Sequence, residues 1–540
     1  MSESLTRREF LKGAAAVAAG AAIFSAGNLA APVTASAADD TAKAQTALPW
    51  PLTENLFEES TAEIEPIKAW DEELDYDIVI IGAGSTGVPA ALYAAEHGAK
   101  VAVLQKQGMI ISQGTGGCGL ALEETDELAV RYFIDEHVKS CAYRPDESLL
   151  WAWCKYSGEV EKMVYDRLSE TGFEGLSERS MTFSYKDGAY KATTRLIGYG
   201  AKPRDNGLGM QALGKIAEEA GAEFFFETPG VQLVKEEGKV VAVIGRGKDG
   251  RLIRFNASKG VLLATGDYQN NEAMVERFCP DVKEFQKKQF QKTGDGILMG
   301  VLAGGALEDI GHTKMIHDAD SGPMRNEPFL CVNDNGERFM NEEVVYEYRC
   351  NYLKRQPNPG RCTSVFDSNY FEQATEWGGN PSTLESLDNY IPGKLESPKG
   401  VFKQLIDTHE ADTLEELAEQ LGIPAENLIA SVERYNQLCD EGVDKDFGKD
   451  SKYMKRIDTP PFYGIHKNYR VSALLGGVLI NDKAQVLTPE GSVLEGLYAG
   501  GNCSGQFYGG VDYPLTVPGL SIGRCMTFGV IAMKSMLGEI

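Results

Sequence analysis

From Tyr76 onward the pattern of apolar and polar positions changes abruptly. Ile78-Val79-Ile80-Ile81 is an unbroken β-branched run and predicts a strand buried on both faces. Gly82-Ala83-Gly84-Ser85-Thr86-Gly87 interrupts it, and the stretch Val88 to His97, closed by Gly98, predicts a helix. Lys100 to Leu104 predicts a second strand, so the segment is a βαβ unit. Further on, Val231–Val234 and Val240–Ile244 predict a hairpin around Glu237-Gly238. Gly260 to Asp267 predicts another buried strand that ends in a turn of small residues, and Gly496 to Asn502 repeats that pattern. A last helix is expected from about Gly519 to Leu537. Between Gly311 and Tyr469 the texture differs, with more Asn, Pro and charge, and an amphipathic helix near Thr413–Leu421. The expected organisation is an α/β, doubly wound, Rossmann-like nucleotide-binding domain in two parts, 75–310 and 470–540, with an inserted α+β domain over 311–469.

The glycines at the first strand–helix turn have the spacing G-x-G-x-x-G. Gly82 permits the tight turn, Gly84 lets a pyrophosphate approach the main chain, and Gly87 allows the helix to pack closely on the strand. Free N–H groups and the dipole at the helix start favour an anion there. Candidate contacts are Gly82, Ala83, Gly84, Ser85 and Gly87. The acidic residue expected at the end of the second strand, to bind ribose hydroxyls, is replaced by Gln105. An amide still hydrogen-bonds a hydroxyl but contributes no charge.

The N-terminus carries an address. Thr6-Arg7-Arg8-Glu9-Phe10-Leu11-Lys12 precedes a small-residue apolar stretch to about Ala31, and Ala35-Ser36-Ala37 forms a small-x-small cleavage signature. Residues 1–37 are expected to be a twin-arginine signal peptide and 38–74 a linker. This export route carries folded proteins, which implies a cofactor loaded before export. The 53 Lys and Arg against 79 Asp and Glu give a net charge of −26. Such a field repels phosphate backbones and anionic lipid, so nucleic-acid binding is not expected. After residue 40 no apolar run is long enough to cross a bilayer, so an integral membrane protein is not expected. The 10 cysteines are scattered, with no C-x-x-C, which indicates neither a covalent haem nor a compact zinc site. No metal is expected.

Seven segments in order resemble the flavoprotein subunit family of fumarate reductase and succinate dehydrogenase, together with its 3-ketosteroid dehydrogenase relatives. They are Asp77–Gly87, Ala264-Thr265-Gly266, Thr293-Gly294-Asp295-Gly296, Gly336–Glu342, Leu475-Gly476-Gly477, Gly496–Asn502 and Ser521-Ile522-Gly523. The resemblance implies FAD as cofactor, held also by Ala264, Thr265, Gly266, Asp295, Asn502, Ser521 and Ile522. It makes residues 311–469 the capping domain and places the start of the last helix at the flavin. The single dinucleotide fingerprint leaves no second domain for NAD(P)H. Electrons are therefore expected from a separate partner, a cytochrome or a membrane quinol oxidase.

In fumarate reductases the segment after R-F-x-N-E brings a catalytic Arg, and a His precedes the Gly-Gly strand. This chain has Tyr346 and Ser472-Ala473 at those places. Tyr346 and Asp512-Tyr513-Pro514 resemble instead the ketosteroid dehydrogenases, which implies Tyr513 and the amide of Gly519 as donors to a substrate carbonyl and Tyr346 as the proton donor. Arg349 is a competing proton donor. His312, His317 and Arg524 are weaker candidates, as is Cys118 for a redox role. The expected activity is reduction of a C=C bond conjugated to a carbonyl in a hydrophobic enone or lactone, steroid-like or plant-derived, by hydride from flavin N5. The alternatives are a carboxylate-activated enoate reductase and the same chemistry run as a dehydrogenase.

Overall fold

The structure, a computed structural model, describes residues 66–540 apart from 202–203, 309–310, 317 and 325. The signal peptide and His317 lie outside the described residues. The chain forms two compact units. One runs to Pro280 and includes Gln289–Lys314 and Ala473–Ile540; the other comprises Asp281–Lys288 and Met315–Ser472. The segment Asp281–Lys288, assigned from sequence to the nucleotide-binding part, belongs with the second unit, where Val471 N–H donates to Gln286 O at 2.8 Å.

The first unit is built on a mixed sheet whose central strand is Glu72–Ile81. Val101–Leu104 pairs parallel on one side, with Ile78 opposite Val101 and Ile81 opposite Leu104. Leu252–Leu263 pairs parallel on the other side, followed by Val493–Ala499, and Glu223–Phe225 extends the opposite edge. Ile78, Val79 and Ile80 are fully buried, as an uninterrupted apolar strand between parallel neighbours requires. The hairpin Gly230–Glu236/Lys239–Arg246 joins Leu252–Leu263 antiparallel. The central strand starts at Glu72, inside the expected linker, because Glu72–Tyr76 pair with Ile253–Ala257 before a bulge. Helices Gly87–Glu96, Asn206–Glu219, Glu147–Glu170 and Leu520–Met536 pack on one another. The Glu147–Glu170 helix also backs the small sheet of Cys118–Leu120, Tyr190–Gly198 and Ser177–Tyr185. This is a doubly wound α/β fold.

The second unit is α+β. Phe462–Arg470 runs through its sheet, pairing antiparallel with Arg361–Asp367 on one side and with Thr408–Ala411 and Asp318–Ser321 on the other. Helices Leu414–Leu421 and Ala425–Glu441 cover one face through Leu417, Leu421, Leu428 and Val432, packed on Val332, Val365 and Phe462. Thr413 caps the first of these, accepting from Glu416 N–H at 3.2 Å.

Candidate active site

The first unit holds an open cavity with about 980 Å³ of empty space, the solvent at its mouth included. Its floor is the first strand–helix turn. Gly82 has φ of +111°, and a Cβ there would run into the main chain of Ala264. A Cβ at Gly87 would occupy the carbonyl of Gly82, so this glycine sets the helix–strand distance and does not line the cavity. Gly84 does line it, with no atom of another element closer than 3.5 Å to an added Cβ. No side chain caps the helix at Thr86, so its first N–H groups remain available to an anion. Ser85 is held by Ser112 at 2.5 Å and by the amide of Asn206, which donates to both hydroxyls at 2.8 Å.

Ala83, Gln105, Ala264, Thr265, Gly266, Asp295, Asn502, Ser521 and Ile522 complete the sequence-predicted set around the same cavity. Gln105 is engaged by the protein itself. Its Oε1 accepts from Ala83 N–H at 3.2 Å, and its Nε2 donates to Gln107 Oε1 at 2.7 Å and Met109 O at 2.9 Å. The amide that replaces the expected acid thus shapes the loop. Asp295 is paired with Lys106 at 3.0 Å and accepts from Thr293 at 2.7 Å. Asn502 accepts from the buried Arg524 at 3.0 Å, and that guanidinium lies over the rings of Phe507 and Tyr508 at 5.4 and 5.2 Å. Arg524 meets aromatic faces and an amide, not an acid.

Several lining residues escaped sequence reasoning. The Lys292 ammonium stands by Gly266, where an added Cβ would come within 2.9 Å of it. Burial lowers its pKa, against the attraction of Asp267. Asp267 is buried and accepts from Gln269 N–H at 3.0 Å. Asn206, which does not line the cavity but holds Ser85 and Ser112, gave no signal because it belongs to a helix remote in sequence from the fingerprint. A glycine cradle, an uncapped helix start and a lysine lining one cavity fit a dinucleotide bearing a pyrophosphate.

The chain belongs to the FAD binding domain family. The match covers residues 77–513, and residues 4–24 match the twin-arginine translocation pathway signal sequence. It is 27% identical over 495 residues to a vinyl phenol reductase of Lactiplantibacillus plantarum, covering 84% of this chain and 94% of that protein. It is 32% identical over 358 residues to a 3-oxosteroid 1-dehydrogenase of Mycolicibacterium smegmatis, covering 58% of this chain and 59% of that protein. Among solved structures, the open conformation of a flavocytochrome c3 fumarate reductase superposes with a TM-score of 0.65 at 22% identity, over 89% of this chain and 83% of that one. The protein is an exported FAD-dependent oxidoreductase acting on C=C bonds. No helix among the described residues is long and apolar enough to cross a membrane.

Beside this flavoprotein's cavity, Tyr513 is buried, its ring 5.0 Å from that of Tyr508. Burial pushes its phenol above the usual tyrosine range, against hydrogen bonding with Tyr508 and, after it, with the main chain of Ser521, both of which favour the charged form. Gly519, with φ of +81°, starts the last helix, and its carbonyl accepts from Gly523 N–H at 2.9 Å and Cys118 N–H at 3.3 Å. Cys118 is buried, and burial with nearby Glu161 pushes its thiol upward, which disfavours the thiolate that redox chemistry needs. His312 is fully buried, stacked on Phe278 at 4.3 Å and 2.8 Å from the Tyr268 hydroxyl. Burial lowers its pKa to about 4, so it is a neutral core histidine.

In the second unit Tyr346 opens a single 3₁₀ turn, Tyr346–Tyr348, with its ring 5.6 Å from Tyr469. Arg349 is buried and donates to Val344 O at 2.9 Å and Glu342 O at 3.1 Å. Arg338 is bound by Glu342 at 2.9 Å and Asp444 at 2.8 Å, so it is a structural residue of this unit.

Proposed function

We propose that this flavoprotein works as a reductase, saturating a C=C bond conjugated to a carbonyl or to a hydroxylated arene in a hydrophobic substrate. Bound in the first unit's cavity, FAD supplies the hydride. With a conjugated carbonyl, Tyr513 binds the carbonyl oxygen as a neutral phenol and stabilises the enolate charge that hydride addition would place there, an effect worth a few kcal/mol in a dry site. Tyr346 supplies the proton to the carbon next to that carbonyl, which contributes roughly 10²–10⁴-fold. The observation that carries this reading is the setting of Tyr513. Its phenol is buried, held protonated, and linked to Ser521, a residue that lines the cofactor cavity. The vinyl phenol reductase similarity, spanning 94% of that protein, supports a hydroxyl-bearing conjugated substrate. The two main-chain carbonyls that hold Arg349 support a structural role for it over that of a carboxylate-reductase acid. Electrons come from a separate redox protein, a cytochrome or a quinol oxidase.

The test compares Tyr513→Phe and Tyr346→Phe with the parent. Both variants are expected to keep FAD and to lose turnover by about 10²-fold or more. Full activity in Tyr346→Phe would return the proton to Arg349, and full activity in Tyr513→Phe would remove the carbonyl-binding role.

A further inference from the structure

Away from the cofactor cavity, metal-ligating side chains converge on one face of the second unit's sheet. Thr408–Ala411 pairs antiparallel with Phe462–Arg470 and puts His409 opposite Gly464. On the other side Thr363 stands opposite His466. Side chains alternate along a strand, so His409, His466 and Thr363 share a face. Asp407, one residue ahead of the edge strand and two before His409, joins them. One ligand atom from each of Asp407, His409 and His466 lies within 4.8 Å of the other two. His409 Nε2 is already 3.1 Å from Asp407 Oδ1, and the imidazoles are 5.6 Å apart at 72°.

The surroundings orient these groups. Thr363 Oγ1 is 3.0 Å from His466 Nδ1, which leaves Nε2 as the outward nitrogen. Arg361 Nη2 is 3.4 and 3.3 Å from the two ring nitrogens, a near-equal spacing that places it over the ring face and keeps the in-plane lone pair open. Asp334, 3.5 Å from Arg361, offsets the guanidinium charge. His466 is 5% exposed, whereas Asp407 and His409 are only half-buried. The cluster thus has a fixed back and an accessible front.

We propose that Asp407, His409 and His466 bind one Zn²⁺ ion, with water as the fourth ligand. Two imidazole nitrogens and one carboxylate oxygen are a donor set that zinc accepts tetrahedrally, and that calcium and magnesium, which take mainly oxygen, do not favour. Ligand atoms about 2.1 Å from a tetrahedral ion stand roughly 3.4 Å apart, so closure needs about 1 Å of movement, available by rotation of the two half-buried side chains. The ion ties the edge strand Thr408–Ala411 to Phe462–Arg470, and its role is structural.

The experiment uses the FAD-loaded enzyme without a polyhistidine tag, stripped with a chelator and dialysed. Zn²⁺ is then added, and metal content, calorimetric binding and thermal midpoint are read, with Mg²⁺ and Ca²⁺ as controls. One Zn²⁺ per chain is expected, together with a raised midpoint that the controls do not produce. His409→Ala and Asp407→Asn are expected to weaken zinc binding about tenfold or more while FAD content and the metal-free midpoint stay unchanged. His466→Gln, if it folds, is expected to do the same. Co²⁺ in place of Zn²⁺ is expected to give the intense visible absorption of a tetrahedral ion. Failure of the parent to bind Zn²⁺, or binding that survives both His409→Ala and Asp407→Asn, would overturn the assignment.

Discussion

Lys292 brings a positive charge into a molecule whose overall charge is −26, at the place where an anionic cofactor must bind. Lys292→Ala is expected to raise the FAD dissociation constant roughly tenfold or more, since a charge-assisted hydrogen bond is worth about 1.5–3 kcal/mol; equilibrium dialysis of the flavin checks this. Glu161 is a second residue with a measurable signature. It is 1% exposed in the Glu147–Glu170 helix, and neither carboxyl oxygen has a hydrogen-bond partner. Burial, and after it the charge of Glu178, pushes its pKa up to about 8 from 4.5. A carboxyl whose folded pKa is raised binds more protons folded than unfolded, so stability falls as pH rises from about 4.5 through about 8. At 1.36 kcal/mol per unit the loss is at most about 5 kcal/mol. Glu161→Gln is expected to flatten that slope and to raise the thermal midpoint at pH 8 while leaving it little changed at pH 4.5. Equal slopes for parent and variant would contradict this assignment.

At the scale of elements, the glycine turn separates into two functions that a substitution pair resolves. Gly87→Ala puts a methyl group into the carbonyl of Gly82, so helix Gly87–Glu96 must leave its strand. Gly84→Ala meets nothing closer than 3.5 Å, so the chain folds, and the new methyl stands where the cofactor approaches the main chain. Circular dichroism is expected to show native helix content for Gly84→Ala with little FAD retained, and disturbed structure for Gly87→Ala. Both roles were legible in the sequence because a βαβ fingerprint is local: strand, turn and helix are contiguous. The last helix and the capped helix Leu414–Leu421 were legible for the same reason, whereas of the strand expected over Gly260 to Asp267 only the end was, since the strand runs from Leu252 to Leu263. The 24-residue helix Glu147–Glu170 and the small sheet beside it were not predicted, because their order comes from packing between distant segments. The strand start at Glu72 was hidden too, since Glu72-Glu73-Leu74-Asp75 is polar in sequence and takes its extended form from pairing with Leu252–Leu263. In the site, the lining residues inside motifs were foreseen. Lys292 was not, because it arrives through tertiary structure; Asp267 follows Gly266 directly, but a lone carboxylate there carries no motif of its own; Asn206, which holds Ser85, comes from a distant helix. The engagement of Gln105 with Gln107 and Met109 was equally invisible, since residue type alone does not say which way an amide's donors point.

For the whole molecule, the signal sequence and the cofactor site belong to one account. A chain exported in the folded state loads FAD first, and a site made of segments as distant as Gly82 and Ser521 exists only once the fold is complete. An exported enzyme has no access to the cytoplasmic nicotinamide pool, which supports the proposed separate electron donor. The central claim is the proposed reduction of a carbonyl- or phenol-conjugated double bond, for which bound FAD would supply the hydride. The most direct test reduces the flavin of the mature protein anaerobically with a viologen and follows its reoxidation. One panel contains α,β-unsaturated ketones, lactones and vinyl phenols; the other contains fumarate, urocanate and cinnamates. Rapid reoxidation by members of the first panel, with the acids inert, is the predicted result. Reoxidation by the carboxylic acids alone would contradict the account and give the activating role to a cation in place of Tyr513.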